Sequence, residues 1–98
     1  MAEVRWTPQA SDDLESIAEF IAVDSAEYAS LFVMDVVEAV ERIGRFPEIG
    51  RVVPEARKMD AREVILGNYR IVYRQRMGAV EIITIYHTSR LLDPSKLK

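Results

Sequence analysis

Four residues in the C-terminal half of the chain could do acid–base work beside an anion: Glu63, Arg70, His87 and Arg90. His87 is the one histidine, and an unperturbed imidazole titrates near neutrality, so it could give or take a proton. Glu63 could serve as a base. The guanidiniums of Arg70 and Arg90 suit a phosphate-like group. The same residues also have plainer readings. A histidine near a strand end is commonly a hydrogen-bonded structural group. Glu63 near Arg70 or Arg74 reads as a cross-strand ion pair, worth about 0.2–1 kcal/mol. Arg74 opposite Glu81 reads the same way. Arg90 could be solvated, or it could meet an acidic residue of a partner. The chain has no cysteine, so disulfides and thiolate–metal sites are excluded, and with one histidine a structural zinc site is excluded too. Neither a metal nor a cofactor is expected.

These residues need a scaffold, and 98 residues with 49% hydrophobic content supply one domain spanning 1–98 with a modest core. No apolar run reaches the length of a membrane span, and the first residues lack a leader pattern, so a cytoplasmic protein is expected. The net charge of −3 hides a split. Residues 1–41 carry one base and ten acids, a net −9; residues 42–98 carry twelve bases and six acids, a net +6. An acidic total argues against a dedicated RNA binder but leaves room for a local basic patch. The basic residues Arg51, Arg57, Lys58 and Arg62 read equally as a solvated loop and as a cluster that meets acidic residues of a partner.

Val4 and Trp6 alternate with polar neighbours over residues 3–7, which predicts a strand with Trp6 in the core. Thr7-Pro8 predicts a helix start, with Thr7 as N-cap and Pro8 at the first helical position. Ala10, Leu14, Ile17, Ala18 and Ile21 then recur at helical spacing. Asp24-Ser25 breaks this helix and starts a second, with Glu27 near a capping box. The second helix carries Ala29, Phe32, Val33, Val36, Val37, Val40 and Ile43, and ends near Gly44 ahead of Pro47. The run 31–34 and the Val36/Val40 stripe read as core. Residues 47–60 read as a loop. Three alternating runs follow: 62–66, 69–75 and 80–86. Gly67-Asn68 and Met77-Gly78 form the tight turns between them. Residues 91–98 are expected to form at most one helical turn.

Two-residue turns fix the pairing, and pairing fixes the faces. One face then holds Leu66 with Tyr69, Val64 with Ile71, Tyr73 with Ile82, and Tyr69 with Tyr86; it should sit on the helices. The other holds Ile65 beside Arg70, Arg70 beside Ile85, Val72 beside Ile83, and Arg74 beside Glu81. Glu63 and His87 fall on this second face as well. Arg70, Val72, Ile83, Ile85, His87 and Arg90 are therefore the candidate partner-binding residues. An arginine set among aliphatics suits a partner-binding face. A one-residue bulge would change this assignment.

The ordered set Trp6, Ala10, Asp13-Leu14, Ile17, Ile21, Pro47, Gly50-Arg51, Pro54, Arg62-Glu63, Gly67 through Tyr73, and Ile85-Tyr86-His87 with Arg90 resembles the RelE/ParE toxin superfamily of type II toxin–antitoxin pairs. It is more like the ParE branch, and the likeness covers residues 3–92. The resemblance implies an α+β fold, with a helical hairpin packed on a twisted antiparallel sheet. It implies a ParD-like antitoxin as partner, in a hetero-oligomer, and DNA gyrase as the target of a toxin that performs no covalent chemistry. RelE-like relatives instead cleave messenger RNA on the ribosome, and one fold hosts both activities. For cleavage, Glu63, Arg70, His87 and Arg90 would be the catalytic set. Against it, the strand before Tyr69-Arg70 begins Ala61-Arg62-Glu63 without the lysines of RelE-like nucleases, and no tyrosine follows Arg90. A member that binds antitoxin without toxicity is the third alternative.

Overall fold

The computed structural model describes residues 2–89. Arg90 and the segment 91–98, with its expected helical turn, lie outside the described residues. The elements are β1 (Glu3–Trp6), α1 (Pro8–Asp24), α2 (Ala26–Arg45), β2 (Arg51–Val52), a 3₁₀ segment (Pro54–Met59), β3 (Arg62–Leu66), β4 (Tyr69–Arg76) and β5 (Ala79–His87). They form an α+β architecture, a helical hairpin on a five-stranded sheet of order β1-β5-β4-β3-β2. The sheet is mixed. β1 runs parallel to β5 because α1 and α2 intervene between them, while the β3–β4–β5 meander is antiparallel.

Local chemistry explains the helix boundaries. Thr7 caps α1: its Oγ1 accepts from the Ala10 amide at 3.1 Å. The Thr7 amide donates to the Ile82 carbonyl, which ties the start of α1 to β5. At the hairpin corner the capping residue is Ser25 rather than Asp24; its Oγ accepts from the Tyr28 amide at 3.1 Å. The turn between β4 and β5 places Met77 at φ 54° and Gly78 at φ 78°. Two successive left-handed residues make a type I′ turn, whose twist matches that of the strands it joins.

The main core lies between the hairpin and the sheet. Ala10, Val36, Ala39, Val40 and Ile43 from the helices meet Ile71, Tyr73, Val80, Ile82 and Ile85 from β4 and β5. Val4 and Trp6 pack on its margin half-buried. The run 31–34 departs from the core expected of it. Phe32 and Val33 are half-buried, but Leu31 and Met34 are 46% and 58% exposed. Among the described residues, no helix is long and apolar enough to cross a membrane.

The segment 47–60 is more ordered than a loop. β2 pairs with β3, and the 3₁₀ segment folds over the sheet face opposite the helices. Val53, Ala56 and Ala61 bury Val72 and Ile83 there, a second small core flanked by Met59 and Tyr86. Tyr73 anchors the entry to this segment. Its hydroxyl donates to the Pro47 carbonyl at 2.7 Å and accepts from the Gly50 amide at 2.8 Å. A Cβ on Gly50 would lie 2.6 Å from that hydroxyl and 2.8 Å from the Glu63 carbonyl, so only glycine fits.

Candidate ion-pair site on the sheet

The β3–β4 register is the expected one, with Ile65 opposite Arg70 and Val64 opposite Ile71. In the β4–β5 pair, Tyr73 faces Ile82 and Arg74 faces Glu81, also as expected. Beyond them β5 carries one extra residue, so Val72 faces Thr84, Ile71 faces Ile85, Arg70 faces Tyr86, and Tyr69 faces His87. This β-bulge corrects the face assignment from that point on. Ile85 turns to the helices and joins the main core. Tyr86, not Ile85, lies beside Arg70. His87 leaves the Arg70 face and packs edge-on against Tyr69 at 5.4 Å, while Tyr69 also contacts Phe32 of α2 at 5.1 Å.

Asp13 holds the bulge in place. Its Oδ2 accepts from the Thr84 hydroxyl and, at 3.2 Å, from the Ile85 amide. Its Oδ1 accepts from Gln9 at 2.7 Å. The position of Asp13, three residues after Ala10 and four before Ile17, put a carboxylate on the inward side of α1. That was the available signal for a clip between helix and sheet.

Glu63 is 1% exposed, the one buried acid among the described residues. It is no ordinary surface ion pair. One of its oxygens accepts from Arg51 at 2.6 Å and the other from Arg70 at 3.2 Å. Arg70 also donates to the Tyr86 hydroxyl and the Thr88 carbonyl, both at 3.3 Å, and lies 3.8 Å from Glu55. Its guanidinium carbon is 5.6 Å from the centre of the Tyr86 ring. Arg51 and Arg70 against Glu55 and Glu63 leave the cluster without net charge. Burial opposes the charge on Arg70, but the Tyr86 hydroxyl and the carboxylates of Glu63 and Glu55 outweigh it and hold the guanidinium above its ordinary arginine value. Burial pushes the Tyr86 phenol above its ordinary 10.0, with Arg70 pulling the other way. Arg70 Nε is buried with no hydrogen-bond partner among the described residues.

The structure brings Glu63 and Arg70 together and separates both from His87. The His87 Nδ1 accepts from the Ser89 amide at 3.1 Å, with Ser89 Oγ 2.8 Å away, so the proton of a neutral ring sits on Nε2. His87 instead lines a groove of about 520 Å³ with Asp13, Phe20 and Tyr69, between α1 and the end of β5. Val72, Ile83 and Ile85, expected to be exposed on a binding face, are all buried. The first two lie under the 3₁₀ segment and the third under the helices. Arg90 lies outside the described residues. Sequence reasoning missed Arg51, Glu55, Tyr86 and Thr88 as members of the cluster, because the bulge and the fold of the 3₁₀ segment decide which of them meet. Among the described residues, no group of three or more His, Asp or Glu side chains is placed to hold a metal ion.

Comparison with known proteins places this geometry. Toxin RelE2 of Caulobacter vibrioides is 33% identical over 92 residues, covering 93% of this chain and all of the relative. A solved structure described as a chromosomal ParDE TA system from P. aeruginosa shares the fold, with a TM-score of 0.73 at 24% identity; 89% of this chain and 96% of the other are covered. Residues 4–92 match the family described as ParE toxin of type II toxin-antitoxin system, parDE, and the chain belongs to that family of toxins.

Proposed function

We propose that this toxin acts by binding rather than by cutting RNA: it inhibits DNA gyrase and is neutralised by a ParD-like antitoxin in a hetero-oligomer. The observation that carries this reading is the separation of the acid–base groups. Cleavage needs a base, an acid and free cations converging on one phosphate. Both oxygens of Glu63 are occupied by arginines, and the charge of Arg70 is spent on Glu63 and Glu55. His87 faces the helices instead. An exposed apolar set on the hairpin (Phe20, Val23, Tyr28, Leu31 and Met34) supports a protein partner that covers it. Arg70 and His87 keep solvent-accessible atoms and remain candidates for partner contact, each on its own face.

The relative named RelE2 favours a second reading, messenger RNA cleavage on the ribosome. Inducible expression without antitoxin separates the two. Under the gyrase reading, DNA synthesis falls first and purified gyrase loses supercoiling activity when the toxin is added. Early loss of protein synthesis with cut transcripts, gyrase remaining active, overturns it in favour of cleavage. Growth without arrest overturns both and leaves an antitoxin-binding protein.

A further inference from the structure

The segment that joins α2 to β2 is held more firmly than a simple connection needs. The Phe46 amide donates to the Arg42 carbonyl at 2.8 Å, and the Ile49 amide to the Phe46 carbonyl at 2.9 Å. The buried Tyr73 hydroxyl ties Pro47 to Gly50, and Arg62 donates to the Gly50 carbonyl at 2.8 Å. Yet this fixed backbone turns its large apolar side chains to water. Phe46, Ile49 and Val52 are 63%, 51% and 40% exposed. A lone exposed apolar residue is ordinary. Three of them on one short backbone, pinned from below by a buried side chain, make a preorganised apolar knob. The pinning also delivers Arg51 to Glu63, but that task asks for nothing apolar at positions 46 and 49.

Charge distinguishes this knob from the apolar set on the hairpin. Residues 19–35, which hold Phe20, Val23, Tyr28, Leu31 and Met34, carry Glu19, Asp24, Glu27 and Asp35 and no base. The knob has Arg42 and Arg45 beside Phe46, at helical spacing on the last turn of α2. Both arginines are exposed and join no ion pair among the described residues. Glu48 is the one acid within the segment, since Glu41 lines the groove beside Val4 and Trp6. The two patches stand apart: from Met34 to Phe46 is about 18 Å along α2, at roughly 1.5 Å per residue. We propose that residues 46–52 are the docking site for the protein this toxin acts on, an acidic surface that takes Phe46 and Ile49 into an apolar pocket. This rests on the reading of a toxin that acts by binding, and it gives that act a place separate from the hairpin patch. The rigid apolar centre supplies affinity, and the arginines at its rim steer an acidic partner to it. A basic partner fits the acidic hairpin instead.

Growth arrest on inducible expression and inhibition of purified gyrase, read side by side, test this. Phe46→Ser with Ile49→Ser should abolish the arrest and raise the half-inhibitory concentration against gyrase at least about tenfold. Both side chains are exposed, so the fold is spared, and an unchanged urea midpoint verifies it. Arg45→Glu should raise that concentration about tenfold, and Glu48→Lys should lower it about threefold. A merely structural role would not produce shifts of opposite sign. Arrest that disappears in the double variant, with gyrase untouched by the parent, overturns the gyrase reading and keeps the docking site for another target. Full arrest by the folded double variant overturns the docking site whatever the target. So does a parent chain that arrests nothing. Loss with Arg45→Glu alone, the apolar variant staying active and bare duplex DNA being retained by the parent, also overturns it and assigns the arginines to a nucleic acid.

Discussion

The helix-covered face of the sheet buries Ile71, Tyr73, Val80, Ile82 and Ile85 under α1 and α2, whereas the opposite face buries Val72 and Ile83 under a 3₁₀ segment and fills the rest with Glu63 and Arg70. The first is held by apolar area removed from water, which needs no particular partner for any one side chain. The second depends on a buried carboxylate meeting two guanidiniums. A buried ion pair adds little over an apolar pair of the same shape, yet loss of one member strands the other. The two faces should therefore respond to mutation in different ways. On the helix side each deletion costs by volume. On the cluster side single changes hurt, and matched changes do not.

The largest effect is expected on the helix side. Ile71 is fully buried between the sheet and the hairpin, and Ile71→Ala should lower unfolding free energy by about 4 kcal/mol, transfer and cavity combined. Urea unfolding followed by circular dichroism reads it. A loss below about 1 kcal/mol would mean that the hairpin collapses onto the gap and that the main core is looser than its burial indicates.

On the cluster side, Glu63→Ala leaves Arg70, with an 18% exposed side chain, with the distant Glu55 as its one carboxylate among the described residues, beside the neutral Tyr86 hydroxyl and Thr88 carbonyl. A loss of about 3 kcal/mol is expected, at the low end for a broken buried pair because Arg51, at 63%, returns to water. The double change Glu63→Leu with Arg70→Met should fall within about 1 kcal/mol of the parent. This pair of measurements sharpens the comparison most. If the double variant is as unstable as the single one, the cluster contributes net stability, and the distinction between the faces fails.

The same distinction explains what was legible in the sequence. Helical spacing from Ala10 to Ile21 and from Ala29 to Ile43, the Thr7-Pro8 start and the two glycine turns gave the hairpin and the meander, because each signal is local. The faces of β4 and β5 were correct from the Met77-Gly78 turn as far as Tyr73 and Ile82. They failed beyond the bulge, because the extra residue of β5 is fixed by Asp13, about seventy positions away in the chain. That one shift moved Ile85 into the core and carried His87 away from Glu63 and Arg70. The ion cluster was half visible. Glu63 and Arg70 were candidates, but Arg51 and Glu55 reach them through a segment with no periodicity to read.

That segment is fixed at its entry by Gly50, where the two faces meet. Gly50→Ala should cost about 2 kcal/mol, since the new methyl group meets the Tyr73 ring and hydroxyl and the Glu63 backbone, all of them buried groups with little room to move. The damage should be local. Amides of β2 and β3 are expected to exchange faster in the variant, while those of α1 and α2 stay protected. Uniform loss of protection would show that both faces unfold as one cooperative unit.

The smallest expected effect separates the faces by pH. Tyr73 belongs to the helix side and Tyr86 to the cluster side, and burial pushes both phenols above their ordinary 10.0. For Tyr73, the amide donated by Gly50 and the charge of Arg62 oppose that rise without cancelling it. A folded pKa above the unfolded one means that the folded state holds the proton more tightly. The stabilisation is then complete below about pH 10 and is lost as pH rises through the folded value. Tyr73→Phe removes the hydroxyl shared by Pro47 and Gly50 and should cost about 1 kcal/mol at neutral pH. It should also flatten part of the alkaline fall in stability, and the slope that remains belongs to Tyr86. Tyr86→Phe should remove that remainder while releasing one of the contacts on Arg70. Urea midpoints measured between pH 8 and about pH 11 would show the two contributions adding if the faces titrate independently. A single variant that abolishes the whole alkaline limb would mean that one face controls the opening of the other.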